Sequence, residues 1–242
     1  MNEKNSQNSK TAPNSAESLL EYLKDSFWPR HGTKVLIILL LAMVGASFIV
    51  QKLKSFAGEE IAMAEELGKG FDYIYTGKGD SALIALENAI QNGNLKGLPL
   101  AKAALLAGNL HLQNSNLGSA EALYRQTVSN ASGVEIISSA AEHGLAVVAM
   151  ERQNYPEAIS LLNAFINKYG KRTGDLAKRY AKTEPADRVP TVPDALWKLT
   201  LCYLEIGDSE KTMQTAEKLL KIYGDSPKAA DASKLLAKLV EK

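Results

Sequence analysis

The chain has 242 residues, and its 28 Lys and Arg nearly balance its 27 Asp and Glu, for a formal net charge of +1 at pH 7. That balance argues against a nucleic-acid partner, which needs a basic stripe. The single cysteine, Cys202, excludes an internal disulfide and a thiolate metal cage, and the length allows one or two domains.

Residues 1–15, MNEKNSQNSKTAPNS, carry almost no apolar side chains and are expected to form a disordered tail. A juxtamembrane amphipathic helix is predicted over 16–33. Ser15 caps it, Glu17 and Glu21 lie near its positive end, and Leu19, Leu20, Leu23 and Phe27 share one face. Then comes Val35 to Val50, VLIILLLAMVGASFIV, without a charge or a proline. As a helix this run rises ~24 Å, short of a ~30 Å hydrocarbon core. Trp28, Arg30, Lys34, Lys52 and Lys54 flank it and supply interfacial anchors and snorkelling stems that close the gap. The reading is one transmembrane helix over 34–51. A cleaved signal peptide fits poorly, because 34 residues precede the run.

Residues 52–242 read as helix, turn, helix, repeated. Gly70, Gly108, Ala146 and Thr200 are each followed twelve residues later by another small residue, Ala82, Ala120, Ala158 and Thr212. Four residues further on stand Leu86, Tyr124, Leu162 and Ala216. Two antiparallel helices approach closely only where small residues line the seam, and larger ones are expected to fill the space between hairpins. Hairpins are predicted at about 62–92, 99–130, 137–169 and 193–223, with a capping helix at 226–240 and an insertion at 170–192. A lone hairpin cannot bury its faces, so the copies must stack. Residues 170–193 hold six basic and three acidic residues and three prolines. The insertion reads as a solvated connector with a short helix through Asp175–Lys182.

This pattern resembles the tetratricopeptide repeat, carried best by Ala107-Gly108 with Ala120 and Tyr124, Leu145-Ala146 with Ala158, and Leu199, Tyr203 and Gly207. The copies begin 38, 38 and 54 residues apart, wider than the family's spacing of about 34. The fold class expected is all-α, an N-terminal transmembrane helix followed by a tetratricopeptide-repeat-like α-solenoid.

In such a stack the first helix of each hairpin lines the concave side. The positions facing inward are Leu67, Phe71 and Ile74; Leu105, Asn109 and Leu112; His143, Val147 and Met150; and Trp197, Leu201 and Leu204. Two readings stand open: an apolar groove for an amphipathic helix or unfolded segment, or side chains covered by neighbouring helices or by the insertion. No paired carboxylates, activated nucleophile, phosphate loop or metal spacing is visible, so no enzyme, catalytic residue, metal or cofactor is expected.

The order of parts, from Tyr22-Leu-Lys-Asp-Ser-Phe-Trp-Pro-Arg-His-Gly-Thr-Lys34 through the apolar run to the repeats, looks like the YfgM-type family of bacterial inner-membrane proteins. That resemblance implies a cytoplasmic N-terminus, a periplasmic repeat domain and an ancillary role beside the translocon and a membrane-anchored chaperone. Partners would be translocon or chaperone subunits and client polypeptides, with the lipid bilayer met through one helix and no nucleic acid bound. Charge alone leaves orientation tied, with Lys24, Arg30 and Lys34 on one side and Lys52, Lys54 and Lys69 on the other. The alternative within the same class is an adaptor subunit of another envelope-spanning complex.

Overall fold

A computed structural model describes residues 46–49, 51–52, 61–131 and 133–240. The chain divides into Met1–Glu59 and Glu60–Lys242, and the repeats lie wholly in the second part. The tail, the amphipathic lead-in and most of the 34–51 span lie outside the described residues, as do Trp28, Arg30, Lys34 and Lys54. Positions 46–49 and 51–52 are helical and exposed. Among the described residues no helix is long and apolar enough to cross a membrane.

The second part is all helical among its described residues. Helix α1 covers 61–75 and pairs with α2, Gly79–Gln91. Next come α3, Gly97–Gln113, with α4, Leu117–Asn130, and α5, Glu135–Glu151, with α6, Tyr155–Tyr169. A five-residue helix α7, Leu176–Tyr180, interrupts the series. The fourth hairpin is α8, Val192–Glu205, with α9, Ser209–Tyr223, followed by α10, Pro227–Val240. From α2 to α6 and from α8 to α10 each helix packs on the next, and α6 packs directly on α8 across the insertion.

One turn closes all four hairpins. Gly77, Ser115, Gln153 and Gly207 occupy the left-handed region with φ of 71°, 59°, 58° and 75°. Each donates its N–H to the carbonyl three residues back, and the next residue donates to the carbonyl five back, as in Gly77 to Ile74 at 3.0 Å and Lys78 to Tyr73 at 2.8 Å. This pair of bonds satisfies the last carbonyls of the first helix and turns the chain. Glycine bears that φ without steric cost, whereas Ser115 and Gln153 carry a side chain there. Gln153→Gly is therefore expected to raise stability by about 0.5–1 kcal/mol, read as a higher urea midpoint at unchanged slope.

The seam differs from the expectation in one respect. The first small residue of a hairpin faces the large residue of its own second helix. A Cβ added to Gly70 would overlap Leu86 Cδ2, and one added to Gly108 would lie 3.0 Å from Tyr124 Cε1. Leu86 and Tyr124 are both fully buried, and Leu86 also packs with Ala103 and Ala107 of the second hairpin. Tyr124 also reaches the next hairpin, where a Cβ on Gly144 would lie 2.6 Å from its Cζ. In the fourth hairpin Thr200 and Thr212 fill the small positions, both fully buried. Their hydroxyls donate to Leu196 O at 2.9 Å and Asp208 O at 2.7 Å, so neither is an unsatisfied buried donor.

Candidate interaction surface

Spacings of three and four along a helix put side chains on one face. On α1, Phe71 and Ile74 remain 45% and 36% exposed, and Asn109 on α3 is exposed as well. Leu112, His143, Val147, Met150, Trp197, Leu201 and Leu204 are half-buried. Leu67 and Leu105, each only 9% exposed, belong to the core instead. Leu67 packs with Leu86 and Ala89, and Leu105 with Ala120 and Tyr124. The accessible row thus keeps ten of the twelve sequence-derived positions and loses the two nearest the N-terminal ends of α1 and α3. Its underside is fixed by polar contacts: Tyr124 O–H donates to Asn109 Oδ1 at 2.8 Å, and Asn163 Nδ2 donates to Tyr203 Oη at 3.5 Å.

Asp194, absent from the sequence-derived positions, is the electrostatic centre of the C-terminal half. Its Oδ2 lies 3.1 Å from His143 Nε2 on α5 and 3.6 Å from Lys198 Nζ, and its Oδ1 lies 3.7 Å from Lys228 Nζ on α10. The approach of His143 is too oblique for a well-formed hydrogen bond. The His143 contact, outweighing burial and joined by both lysines, holds the Asp194 carboxyl below its usual range. A depressed carboxyl contributes stability above the ordinary aspartate range near pH 4, which is lost as pH falls through the folded-state value. Asp194→Ala is expected to cost about 1–2 kcal/mol at neutral pH and to shrink the loss on acidification. Acid titrations of both proteins by circular dichroism check this, with parallel curves as the contrary result.

The insertion is largely exposed, as a solvated connector should be, and it is also tied down by its own side chains. Asp187 Oδ1 accepts from the amides of Lys171 and Arg172 at 2.7 and 3.0 Å. Glu184 Oε1 accepts from the amides of Thr173 and Gly174 at 3.0 and 2.7 Å, and its Oε2 takes Arg179 Nε at 3.1 Å. Arg179 also donates to Ile222 O at 2.8 Å, where α9 ends. Burial works to raise the Glu184 carboxyl, but Arg179 and the two amides outweigh it and hold it low. Arg172 stacks on Tyr223 and pairs with Asp225, while Arg188 pairs with Glu135. These arginines line a cleft of about 610 Å³, but each is already met by an acid of this chain. The polar contacts of this loop run to the ends of α5, α6 and α9, away from Phe71, Val147 and Leu201. Glu184→Ala is expected to speed tryptic cleavage after Lys178 and Lys182 roughly tenfold with little change in global unfolding. Limited proteolysis followed by mass spectrometry reads both.

Chemistry-bearing side chains elsewhere are engaged in packing. His111, 7% exposed, sets Nε2 at 2.8 Å from Glu87 Oε1 and so joins α3 to α2. The Cys202 thiol is fully buried, and burial pushes it up to about 11. Among the described residues no group of three or more His, Cys, Asp or Glu could hold a metal ion.

Tetratricopeptide-repeat family models match residues 67–135 and 194–226. No curated protein is a significant match. Among solved structures, a tetratricopeptide repeat protein from Parabacteroides merdae is 17% identical with a TM-score of 0.55, over 74% of this chain. The chain spans 60% of that protein's length. The MamA protein is also 17% identical, with a TM-score of 0.50 over 74% of this chain and 90% of its own. At these identities the likeness concerns the fold. Over those two segments the chain matches tetratricopeptide repeats, its helices stack as in proteins of that fold, and such repeats form a scaffold for binding other proteins.

Proposed function

We propose that this protein is a non-catalytic scaffold anchored in the bacterial inner membrane by residues 34–51, with its repeats in the periplasm. There it assists secreted or envelope proteins as an ancillary subunit of a translocon and chaperone network. The observation that carries the reading is the row of partly exposed apolar side chains on α1, α3, α5 and α8, which suits an amphipathic helix or an extended client segment. The apolar run Val35–Val50 and the YfgM-like order of parts support the membrane location.

Purification of the full chain in mild detergent tests it. Translocon and chaperone subunits should co-purify with the wild type and be depleted with Phe71→Glu, a change at an exposed position that leaves the core intact. A single stoichiometric set of subunits from a different envelope machine would replace this reading with that of a structural adaptor. A reporter fused after Lys242 that is active only in the cytoplasm would reverse the orientation.

A further inference from the structure

The repeat register itself identifies a second surface. In the second hairpin Ala107 and His111 face the preceding helix α2, where Ala107 packs with Leu86 and His111 meets Glu87, and the fully buried Ala104 stands one turn before them. In the third, Leu145 packs against Ala120 and Tyr124 of α4. In the fourth, Tyr203 meets Asn163 of α6. The corresponding residues of the first hairpin are Glu66, Lys69 and Tyr73. With Ile84, Ala85 and Asn88 of α2 they line an open cleft of about 470 Å³. Ile84 is 61% exposed, whereas the residues at its place in the later hairpins are Ala122, Ser160 and Gln214. Where the other copies carry a small or polar residue, the first carries a large apolar one.

We propose that this N-terminal face of the first hairpin is a self-association surface, on which a second copy of the chain packs about a two-fold axis. The charges on the face are self-complementary. Glu66 and Lys69 stand one turn apart on α1, and a two-fold contact brings Glu66 against the partner subunit's Lys69 and the reverse. Lys69 is exposed and forms no ion pair among the described residues, while Glu66 turns Oε1, held by Asn94 Nδ2 at 2.9 Å, toward the accessible side and buries Oε2 without a hydrogen-bond partner. A face of one sign would repel its copy; this one is neutral, with Tyr73 and Ile84 as its apolar centre. Its size fits a reversible dimer. Two helices of ~20 Å length set ~10 Å apart present ~450 Å² in projection, so the pair buries roughly 1,000 Å², the lower end for specific complexes. This inference does not depend on the groove of the first helices, which lies on another face of the stack.

The test uses the full chain in mild detergent at about 50 µM, above the micromolar Kd expected of so small an interface. Asn88→Cys with a bismaleimide cross-linker should yield a covalent dimer, while buried Cys202 stays unreacted. Ser129→Cys, exposed on α4, should yield none. Adding Ile84→Lys should cut the dimer yield about tenfold. Lys69→Glu should lower it, and the exchanged pair Glu66→Lys with Lys69→Glu should restore it. No dimer from Asn88→Cys, equal yields from Asn88→Cys and Ser129→Cys, or indifference to Ile84→Lys would overturn the proposal. Loss with Lys69→Glu that the exchanged pair fails to restore would also count against the two-fold arrangement.

Discussion

Gly144→Ala is expected to destabilise the repeats by about 2–3 kcal/mol, against a gain of roughly 0.5–1 kcal/mol from helix propensity alone. The new methyl would sit 2.6–2.9 Å from three atoms of the Tyr124 ring. That ring cannot retreat. Gly108 closes on its other side, with room for a Cβ only at 3.0–3.1 Å, and the phenol is held by Asn109 at 2.8 Å. Burial, which pushes the Tyr124 hydroxyl up to about 12, reflects the same confinement. Tyr124 is therefore a wedge between the second and third hairpins, admitted by one glycine from each. The double substitution separates this account from a general intolerance at position 144. Tyr124→Ala alone should cost about 3–5 kcal/mol, but in its background Gly144→Ala should become neutral or stabilising. Urea unfolding of the four proteins of the cycle supplies the numbers, and an unchanged penalty for Gly144→Ala without Tyr124 would refute the wedge.

Phe165→Ala should cost about 4 kcal/mol and uncouple the C-terminal half. Phe165 is 1% exposed on α6, 4.9 Å from the Tyr169 ring and 5.7 Å from that of His143. It belongs to the cluster that holds Leu162 and Tyr169 of the third hairpin against Leu196 and Leu199 of the fourth. The chain between those hairpins is long, so side-chain packing rather than a short connection transmits stability across this junction. In a stack of repeats, stability is a sum of unit and nearest-neighbour contributions. Weakening one junction is then expected to split unfolding, with α8–α10 melting before α1–α6. Hydrogen exchange resolved by segment would show this as early exchange confined to 192–240, whereas a uniform rise in exchange would contradict it.

The helical stack was legible in the chain because the determinants of each hairpin are local and recur. Gly70 with Leu86 and Gly108 with Tyr124 lie sixteen residues apart, within one hairpin, and the threonines at 200 and 212 satisfy their own hydroxyls. Contacts between hairpins left a weaker trace. Gly144 against Tyr124 depends on how one copy rotates onto the next, and Asp194 meets His143 across 51 residues that include the insertion. A sign of Asp194 was present in its place just after Pro193 at the start of α8, where an acid suits the positive helix end, but that role alone predicts no partner on α5 or α10. The exposure of the insertion and its short helix were legible, but its internal bonds were not, for a related reason. Its six basic residues outnumber its three acids, yet Glu184 and Asp187 accept from backbone amides and fold the loop onto itself. Among the groove positions, Leu67 and Leu105 share the helical face of Phe71 and Asn109 but lie under the neighbouring second helices.

Binding of proteins along the exposed row of the first helices can be read by photo-crosslinking in living cells. A photoreactive residue would replace Asn109, Val147 or Leu201 on that row, or Ala122, Ser160 or Gln214 on the outward faces of the second helices. Adducts with the same partner are expected from the first three positions and not from the last three. Adducts confined to the outward positions would show that binding takes place on the opposite face, contrary to the account given for this protein.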